Sequence, residues 1–174
     1  MTNLNNDIFE KIIDLLEQNK ASFRVVDHAP EGQTELVSQM RGNLLSQAVK
    51  SLVVLVKIGK RESRYYLVNI PGDCRVDLNV IKTLCNGTYV MFASAEKARQ
   101  LTGCEMGAVP PFSFNESLIV LADPSLFEND ELVFNAGRLD RSIFMDKDSY
   151  LNIVQPSLVP VARKEIKEPE HALP

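Results

Sequence analysis

The chain of 174 residues contains little of what enzymes commonly use for metal binding or for holding a nucleotide cofactor. It has two histidines, three cysteines and no tryptophan. A zinc site needs three or four converging nitrogen, sulfur or carboxylate ligands, and His171 lies in a charged C-terminal segment, so no metal site is expected. The sequence also has no G-x-G-x-x-G and no Walker motif, which disfavours nucleotide-cofactor folds. We therefore expect neither a metal nor a cofactor.

Long apolar runs and an excess of positive charge are also lacking. The longest apolar run, LVVLVKI, is too short to span a bilayer, and the N-terminal sequence lacks the pattern of a signal peptide. The three cysteines are odd in number and lack metal-ligand spacing, which is typical of reduced thiols in a cytosolic protein. Lys plus Arg minus Asp plus Glu is 19 − 23 = −4, so a nucleic-acid partner would have to be held through a local patch. These features predict a cytoplasmic domain with no membrane partner.

What the sequence does contain is the pattern of one α+β domain. The predicted helices and strands do not alternate strictly, which favours a mixed sheet, and the strands are numerous and apolar enough to curl towards a barrel of about seven strands. We expect a domain over residues 1–162 and a disordered tail over 163–174, which is charged and contains proline. The predicted helices follow Asn5 or Asn6, Thr34, Asp77, Ser94 and Asp146, and the predicted strands lie in 23–28, on both sides of the polar turn 59–63, and in 88–93, 117–123, 131–137 and 141–146.

The usual nucleophiles and bases are weakly supported. Asp27 beside His28 resembles part of a catalytic triad, but adjacent side chains of a strand point to opposite faces, so the two cannot orient each other. The simpler interpretation of His28 is a surface or turn histidine next to Pro30. Cys104 would need a lowered pKa and a nearby base to act as a nucleophile, and a plain buried thiol is the favoured interpretation.

Two features could supply a different chemistry. Lys50 begins the apolar run KSLVVLVKI; such lysines usually extend to solvent, but this one could also place a charge on a phosphate or a polarised carbonyl. The segment 103–114, GCEMGAVPPFSF, fits neither a helix nor a central strand. Gly107 permits positive φ, and Pro110 and Pro111 fix the backbone.

A loop restricted in this way can direct N–H groups into a cavity, and such donors stabilise the developing oxyanion of acyl transfer. The candidate donors are the N–H groups of Gly107, Ala108, Val109 and Phe112. Taken alone, G-x-x-x-P is a weak pattern, and a stiff buried turn is the simpler interpretation.

Together these features resemble a known family. Lys50 before an apolar strand, GAVPPF near residue 110 and FNAGRLDRSI near residue 140 are similar, in order and spacing, to the YbaK/prolyl-tRNA synthetase-associated family of freestanding aminoacyl-tRNA deacylases. The segment FRVVDHAPEGQTELVSQMRG resembles the family's opening strand and the helix after it. The likeness covers about 23–155, which is most of the chain.

The resemblance implies a curled mixed sheet and the hydrolysis of amino acids wrongly esterified to the 3′ CCA end of a tRNA. An aminoacyl ester is already activated, so orientation and oxyanion stabilisation can drive its hydrolysis without a triad. A substrate group such as the ribose hydroxyl can activate the water. An aminoacyl-tRNA synthetase is a second candidate partner, and Arg41 would add local attraction for the tRNA. The resemblance implies Lys50 and Gly107 as catalytic residues and Ala108, Val109, Pro110, Pro111, His28, Asn135, Gly137 and Ser142 as substrate-binding residues.

Departures from the family pattern bear on the substrate. Relatives specific for Cys-tRNA(Pro) tend to have an aspartate at the position of Ser142, and alanyl-specific relatives often have glycine at the position of Ser113. Asn135 and Ser142 are small and polar, so we expect a pocket for serine, threonine or alanine. The alternatives are a Cys-tRNA(Pro) deacylase, a non-catalytic module that binds tRNA ends or a synthetase, and a small-molecule binding protein.

Overall fold

A computed structural model describes residues 4–165 as a single mixed α+β domain with five α-helices among those residues. The helices are α1 Leu4–Gln18, α2 Thr34–Arg41, α3 Leu78–Leu84, α4 Ala95–Thr102 and α5 Lys147–Val154. The strands are β1 Phe23–Asp27, β2 Val49–Ile58, β3 Glu62–Pro71, β4 Cys74–Val76, β5 Tyr89–Phe92, β6 Leu118–Ala122, β7 Glu131–Asn135, β8 Arg141–Asp146, β9 Ser157–Leu158 and β10 Ala162–Lys164. No helix in the described range is long and apolar enough to cross a membrane.

The strands pair into three sheets, in the orders β1-β8-β7, β5-β2-β3-β6-β9 and β10-β4. The five-stranded sheet is mixed, because β6 runs parallel to both β3 and β9 while the other pairs are antiparallel. The predicted α+β class and mixed sheet are therefore confirmed. The barrel-like curl is not confirmed, because the described strands form three open sheets rather than one closed sheet.

The longest pairing is the predicted hairpin of β2 and β3. It runs from Val49 opposite Pro71 to Ile58 opposite Glu62, and Gly59 in its turn has φ 62°. On its other edge β2 pairs with β5 only from Val54 to Lys57. The N–H of Ala93, directly after β5, donates to the carbonyl of Val53, so the edge over residues 49–52 is left without a neighbouring strand among the described residues, and these residues line a cavity.

Most predicted helix ends are observed. The side chains of Asp77, Ser94 and Asp146 accept hydrogen bonds from the backbone at the starts of α3, α4 and α5, as expected for N-caps. Gly42 and Gly103 close α2 and α4 in the left-handed conformation.

Two predicted caps are wrong. Helix α2 is preceded by Gln33, whose side chain makes no capping bond, so Thr34 is the first helical residue rather than the cap. Helix α1 begins at Leu4, so Asn5 and Asn6 lie within it. Both errors amount to a shift of one or two residues at a helix start, which local sequence does not fix.

Buried side chains pack on both faces of the β2–β3 hairpin. On one face, Val53 and Leu67 pack against Leu118 of β6, and Val49 joins a larger cluster formed mainly by α1, β7 and α5. A second cluster joins β2 and β3 to Ile81 of α3. The hairpin is thus held from both sides, which fixes the open edge of β2 in place.

The three shortest strands, β4, β9 and β10, were not predicted. Strand β10 pairs antiparallel with β4, and the N–H of Glu165 donates to the carbonyl of Asp73 over 2.9 Å. Residues 163–165, which were assigned to the tail, therefore pack onto the domain. The rest of the predicted tail, 166–174 with His171, lies outside the described residues.

Candidate active site

A cavity of about 560 Å³ lies between the start of α2, the open edge of β2, strand β4 and the loop of residues 105–111. Its walls include Lys50 from β2 together with Gly107 and Val109 from the loop. The fold therefore brings both predicted catalytic residues to one cavity, although 57 positions separate them in the sequence.

The Lys50 side chain is held at one side of this cavity. Its Nζ donates to the carbonyl oxygen of Cys74 over 2.8 Å and lies 3.8 Å from a carboxylate oxygen of Glu165. The side chain is 24% exposed, so the ammonium group reaches the cavity without extending freely into solvent. Strands β4 and β10 thus position the charge.

Gly107 is required by the backbone itself. Its φ is +88°, and a Cβ at this position would lie 2.6 Å from the Cα and 2.8 Å from the carbonyl oxygen of Gly32. L-residues rarely adopt this φ, and the space beside it is already filled by main chain. The loop and the Gly32 turn therefore pack backbone against backbone along the cavity wall.

Two hydrogen bonds engage carbonyl groups of the loop. The carbonyl of Gly107 accepts from the Nδ2 of Asn135 over 2.9 Å, and the carbonyl of Ala108 accepts from the N–H of Gly137 over 3.0 Å. The described peptide bonds are all trans, and in a trans peptide the C=O and the following N–H point in opposite directions. The Val109 N–H therefore points away from Gly137, which does not line the cavity, whereas Val109 does.

The proline end of the loop is anchored in the core. The hydroxyl of Tyr150 donates to the carbonyl of Pro111 over 2.8 Å, and burial raises the pKa of this tyrosine. The Phe112 ring packs edge-on against Tyr150 and Phe134, with centroid distances of 5.4 and 5.6 Å. Pro110 and Pro111 are buried behind the cavity wall, so they shape the loop rather than line the cavity.

The four expected N–H donors are not equivalent. The N–H of Ala108 donates to the carbonyl of Glu105 over 3.0 Å, so it is not free to bind a ligand, and Phe112 does not line the cavity. Within residues 4–165, no backbone acceptor takes a hydrogen bond from the N–H of Gly107 or Val109. These two groups are the donors that remain for a ligand.

A polar network lies behind the loop. The Nη1 of Arg41 donates to Ser142 Oγ over 3.0 Å and to Asn135 Oδ1 over 3.3 Å. The Ser142 hydroxyl donates to the same Asn135 oxygen over 3.0 Å and lies 2.7 Å from His28 Nε2. Asn135 also donates to the carbonyl of Glu31 over 2.9 Å, so this one amide connects the network to both backbone segments of the wall.

His28 and Asp27 do not form a dyad, as the sequence predicted. Asp27 pairs with Arg141 over 3.0 Å, whereas His28 contacts Ser142 and the carbonyl of Ala29. His28 is half-buried and does not line the cavity. It reaches the site through Ser142, which is itself fully buried.

The cavity is locally positive. Its charged lining residues are Arg41, Lys50, Arg75 and Glu165, which gives a formal charge of 3 − 1 = +2, against −4 for the whole chain. Burial lowers the pKa of Arg41 to about 10, so its guanidinium is still charged at neutral pH. The cavity therefore provides the local patch that an anionic partner of this acidic chain would need.

Two residues that line the cavity, Gly32 and Ser51, were not predicted from the sequence. Gly32 looked like an ordinary turn residue in PEGQT, and the Gly107 contact that requires it is 75 positions away. Ser51 of β2 lines the cavity, and its Oγ is buried without a hydrogen-bond partner among the described residues. Nothing in its neighbouring sequence distinguishes it from a routine strand serine.

Other nucleophiles and metal ligands do not gather here. Cys104 is buried outside the cavity, as predicted, and desolvation raises the pKa of its thiol to about 12, which disfavours the reactive thiolate. Ser113 donates to the carbonyl of Asn115 in a turn and does not line the cavity. Among residues 4–165, no group of three or more His, Cys, Asp or Glu side chains could hold a metal ion.

Comparisons with known proteins agree with this geometry. The sequence profile of the aminoacyl-tRNA editing domain matches residues 28–153. A multifunctional Ser/Thr-tRNA deacylase, ProXp-y, of Escherichia coli K12 is 43% identical over 151 residues, covering 86% of this chain and 90% of that protein. A proline–tRNA ligase of Bacillus licheniformis is 32% identical over 97 residues, which cover 55% of this chain and 16% of the ligase. A solved structure of a hypothetical protein has a TM-score of 0.79 at 23% identity, covers 88% of this chain and 99% of its own, and shows the shared fold.

Proposed function

The chain belongs to the aminoacyl-tRNA editing domain family, and from this premise we propose that it is a trans-editing hydrolase that deacylates mischarged tRNA. The family resemblance found in the sequence is confirmed by the profile match. The proposed substrates carry serine or threonine, as the name of the E. coli relative suggests for that protein, with alanine as a third small amino acid.

The observation that carries the proposal is the meeting of Lys50 with the Gly107–Val109 backbone in one cavity. Hydrolysis requires water to add to the ester carbonyl carbon, so that negative charge develops on the carbonyl oxygen. The N–H groups of Gly107 and Val109 are the proposed donors to that oxygen. A preorganised donor of this kind typically lowers the barrier by about 3–4 kcal/mol.

The rest of the reaction follows from the substrate. When the tetrahedral intermediate collapses, the bond between the acyl carbon and the ribose oxygen breaks, and that oxygen takes a proton. The products are the free amino acid and a tRNA with an intact 3′ end. The adjacent ribose hydroxyl is the proposed proton relay: it accepts a proton from the attacking water and passes its own proton to the leaving ribose oxygen. No described histidine or carboxylate forms a dyad at the loop that could take this role.

Lys50 is the proposed source of positive charge beside the ester and the terminal adenosine. Its ammonium group already has a fixed position, set by the carbonyl of Cys74 and the carboxylate of Glu165. A lysine at such a position acts as a point charge on developing negative charge. This role requires the charge itself, so a neutral replacement should abolish most of the activity.

The predicted substrate-binding residues take two kinds of role in this proposal. Val109 and Asn135 line the cavity and would contact the aminoacyl group or limit its size. A discriminating pocket of this kind must be rigid, because one methylene changes binding by only about 1–3 kcal/mol. The other predicted substrate-binding residues are proposed to hold the cavity wall in place. They are Ala108, Pro110, Pro111, Gly137, Ser142 and His28.

The partner in this proposal is the 3′ CCA end of the tRNA, which the local charge of +2 attracts. An interaction with an aminoacyl-tRNA synthetase stays a prediction, supported by the similarity to part of a proline–tRNA ligase. A cytoplasmic location is proposed on the same basis, since charged tRNA is the substrate.

A deacylation assay with tRNAs charged with Ser, Thr, Ala, Cys or Pro tests the proposal. We expect release of Ser and Thr well above the spontaneous rate, and a loss of at least about 100-fold in Lys50→Ala, in line with the removal of a transition-state charge contact. Lys57→Ala is the matched control, because Lys57 is exposed on the same strand and lies outside the cavity. Release of Cys alone would support a Cys-tRNA(Pro) deacylase, and no release from any tRNA would refute the enzyme.

A further inference from the structure

The guanidinium of Arg41 is partly buried and is surrounded by neutral groups in the described part of the chain. Its nitrogens donate to neutral oxygens, those of Asn43, Asn135, Ser142 and Ser38, over 3.0 to 3.5 Å. Across the described part of the chain, no carboxylate lies within 4.0 Å of it. The group is partly buried, lines the cavity and lacks a counter-ion among these residues.

Each of the other partly buried cations in residues 4–165 has a carboxylate or an aromatic ring as its partner, and for Lys97 that partner is the ring of Tyr65. Arg138 and Arg141 pair with Asp140 and Asp27, and Lys50 lies near Glu165. A buried charge without an opposite charge is costly, and the desolvation that lowers the pKa of Arg41 to about 10 reflects that cost. The C-terminal end of α2 carries only partial negative charge, so an anion bound in the cavity would offset this cost.

The substrate limits what this anion can be. The ester of an aminoacyl-tRNA has no free carboxylate, and its α-amino group is basic and would be repelled by a guanidinium. Negative charge at the 3′ end of a tRNA resides on the phosphates, and the one nearest to the ester lies on the 5′ oxygen of the terminal adenosine. Guanidinium groups match phosphate geometry well.

We propose that Arg41 binds the phosphate on the 5′ side of the terminal adenosine, while Lys50 acts at the ester. This inference rests on the proposed function, because it assumes an aminoacyl-tRNA in the cavity. The hydrogen bonds to Asn135 and Ser142 hold the guanidinium in position before the phosphate arrives. The Asn135 amide of this network also donates to the carbonyl of Gly107. It therefore contacts both the guanidinium that would bind the phosphate and the loop.

The test uses two small substrates that differ in one group, 3′-O-seryl-adenosine and 3′-O-seryl-adenosine 5′-phosphate. For the wild type we expect kcat/KM to be higher for the phosphorylated compound by at least about tenfold, as for a hydrogen bond to a charged group. Arg41→Gln should hydrolyse both at equal rates, whereas Lys50→Ala should retain the preference in whatever activity remains. A preference that is absent from the wild type, or unchanged in Arg41→Gln, overturns the inference.

Seryl-tRNA gives the second measurement. The slope of log(kcat/KM) against log salt should become shallower by about 1 in Arg41→Gln, as expected when one phosphate contact is lost. Arg41→Lys should restore most of the slope because it restores the charge, and Arg99→Gln, an exposed change on α4 outside the cavity, should leave it unchanged. A wild-type slope in Arg41→Gln overturns the inference even if its activity falls, since a merely structural role predicts that result. Failure of the wild type to hydrolyse seryl-tRNA would refute the proposed function instead.

Discussion

Replacement of Gly107 by alanine probes the backbone contact on which the proposed oxyanion site depends. The added Cβ would lie 2.6 Å from the Cα of Gly32 and 2.8 Å from its carbonyl oxygen, and both atoms belong to main chain that cannot rotate away. The left-handed φ costs an alanine about 1–2 kcal/mol, and forcing an extra methyl into a filled space costs about 1–3 kcal/mol more. We therefore expect a loss of about 2–5 kcal/mol in the free energy of unfolding, the sum of these terms.

Gly59→Ala separates the two terms. Gly59 also has positive φ, of 62°, but a Cβ there would meet nothing within 4 Å, so it should cost only the conformational term of about 1–2 kcal/mol. Urea denaturation of both variants, with seryl-tRNA hydrolysis measured on the folded protein, gives stability and activity separately. Gly107→Ala should lose activity even where it remains folded, because the loop must move away from Gly32.

A Gly107→Ala variant that is no more destabilised than Gly59→Ala would contradict the tight contact between Gly107 and Gly32. Equal losses would mean that the Gly32 segment yields easily, and the wall of the cavity would then not be rigid. Full activity in Gly107→Ala would also contradict the assigned donors, since a displaced loop cannot keep its N–H groups aligned with the oxyanion.

Three further variants test other parts of the structure. Asn135→Ala removes the amide that holds the carbonyls of Glu31 and Gly107 and should cost about 2–4 kcal/mol in urea denaturation, more than Asn129→Ala, whose amide donates to one carbonyl. Tyr150→Phe removes the hydroxyl bonded to Pro111 and should lower stability by about 1–3 kcal/mol; an unchanged midpoint would show that the anchor is dispensable. The folded-state pKa of Cys104 is raised to about 12, so its contribution to stability is complete below the unfolded value and falls as the pH rises from about 9 towards 12. Cys104→Ala should therefore flatten the pH dependence of unfolding between pH 9 and 10 by up to about 1.4 kcal/mol per unit, and identical slopes would contradict this.

Local sequence patterns predicted those parts of the fold that depend on local interactions. The Asp77 and Ser94 caps follow from side chains that bond to backbone two or three residues away, and the hairpin follows from two β-rich runs joined by a polar turn. Strands of two or three residues, such as β9 and β10, are too short to carry a periodic pattern. Their pairing depends on distant partners, as in the contact between β10 and β4.

In the candidate site, too, local features could be predicted from the sequence and long-range contacts could not. The restricted backbone around Gly107 and the prolines could be read from residue types alone, and the resemblance supplied its pairing with Lys50. The direction of each N–H could not be predicted, because it depends on which distant group binds each carbonyl, as Gly137 does for Ala108. Likewise, the network around Arg41 joins residues up to 114 positions apart, so no local window contains it.

The central claim is that Lys50 and the Gly107–Val109 backbone form an ester-hydrolysing site for tRNA carrying a small amino acid. The most direct test is the rate at which the wild type, Lys50→Ala and Lys57→Ala release serine from seryl-tRNA under single-turnover conditions. We expect rapid release by the wild type and by Lys57→Ala, with release by Lys50→Ala reduced at least about 100-fold. Equal rates for the wild type and Lys50→Ala would contradict it.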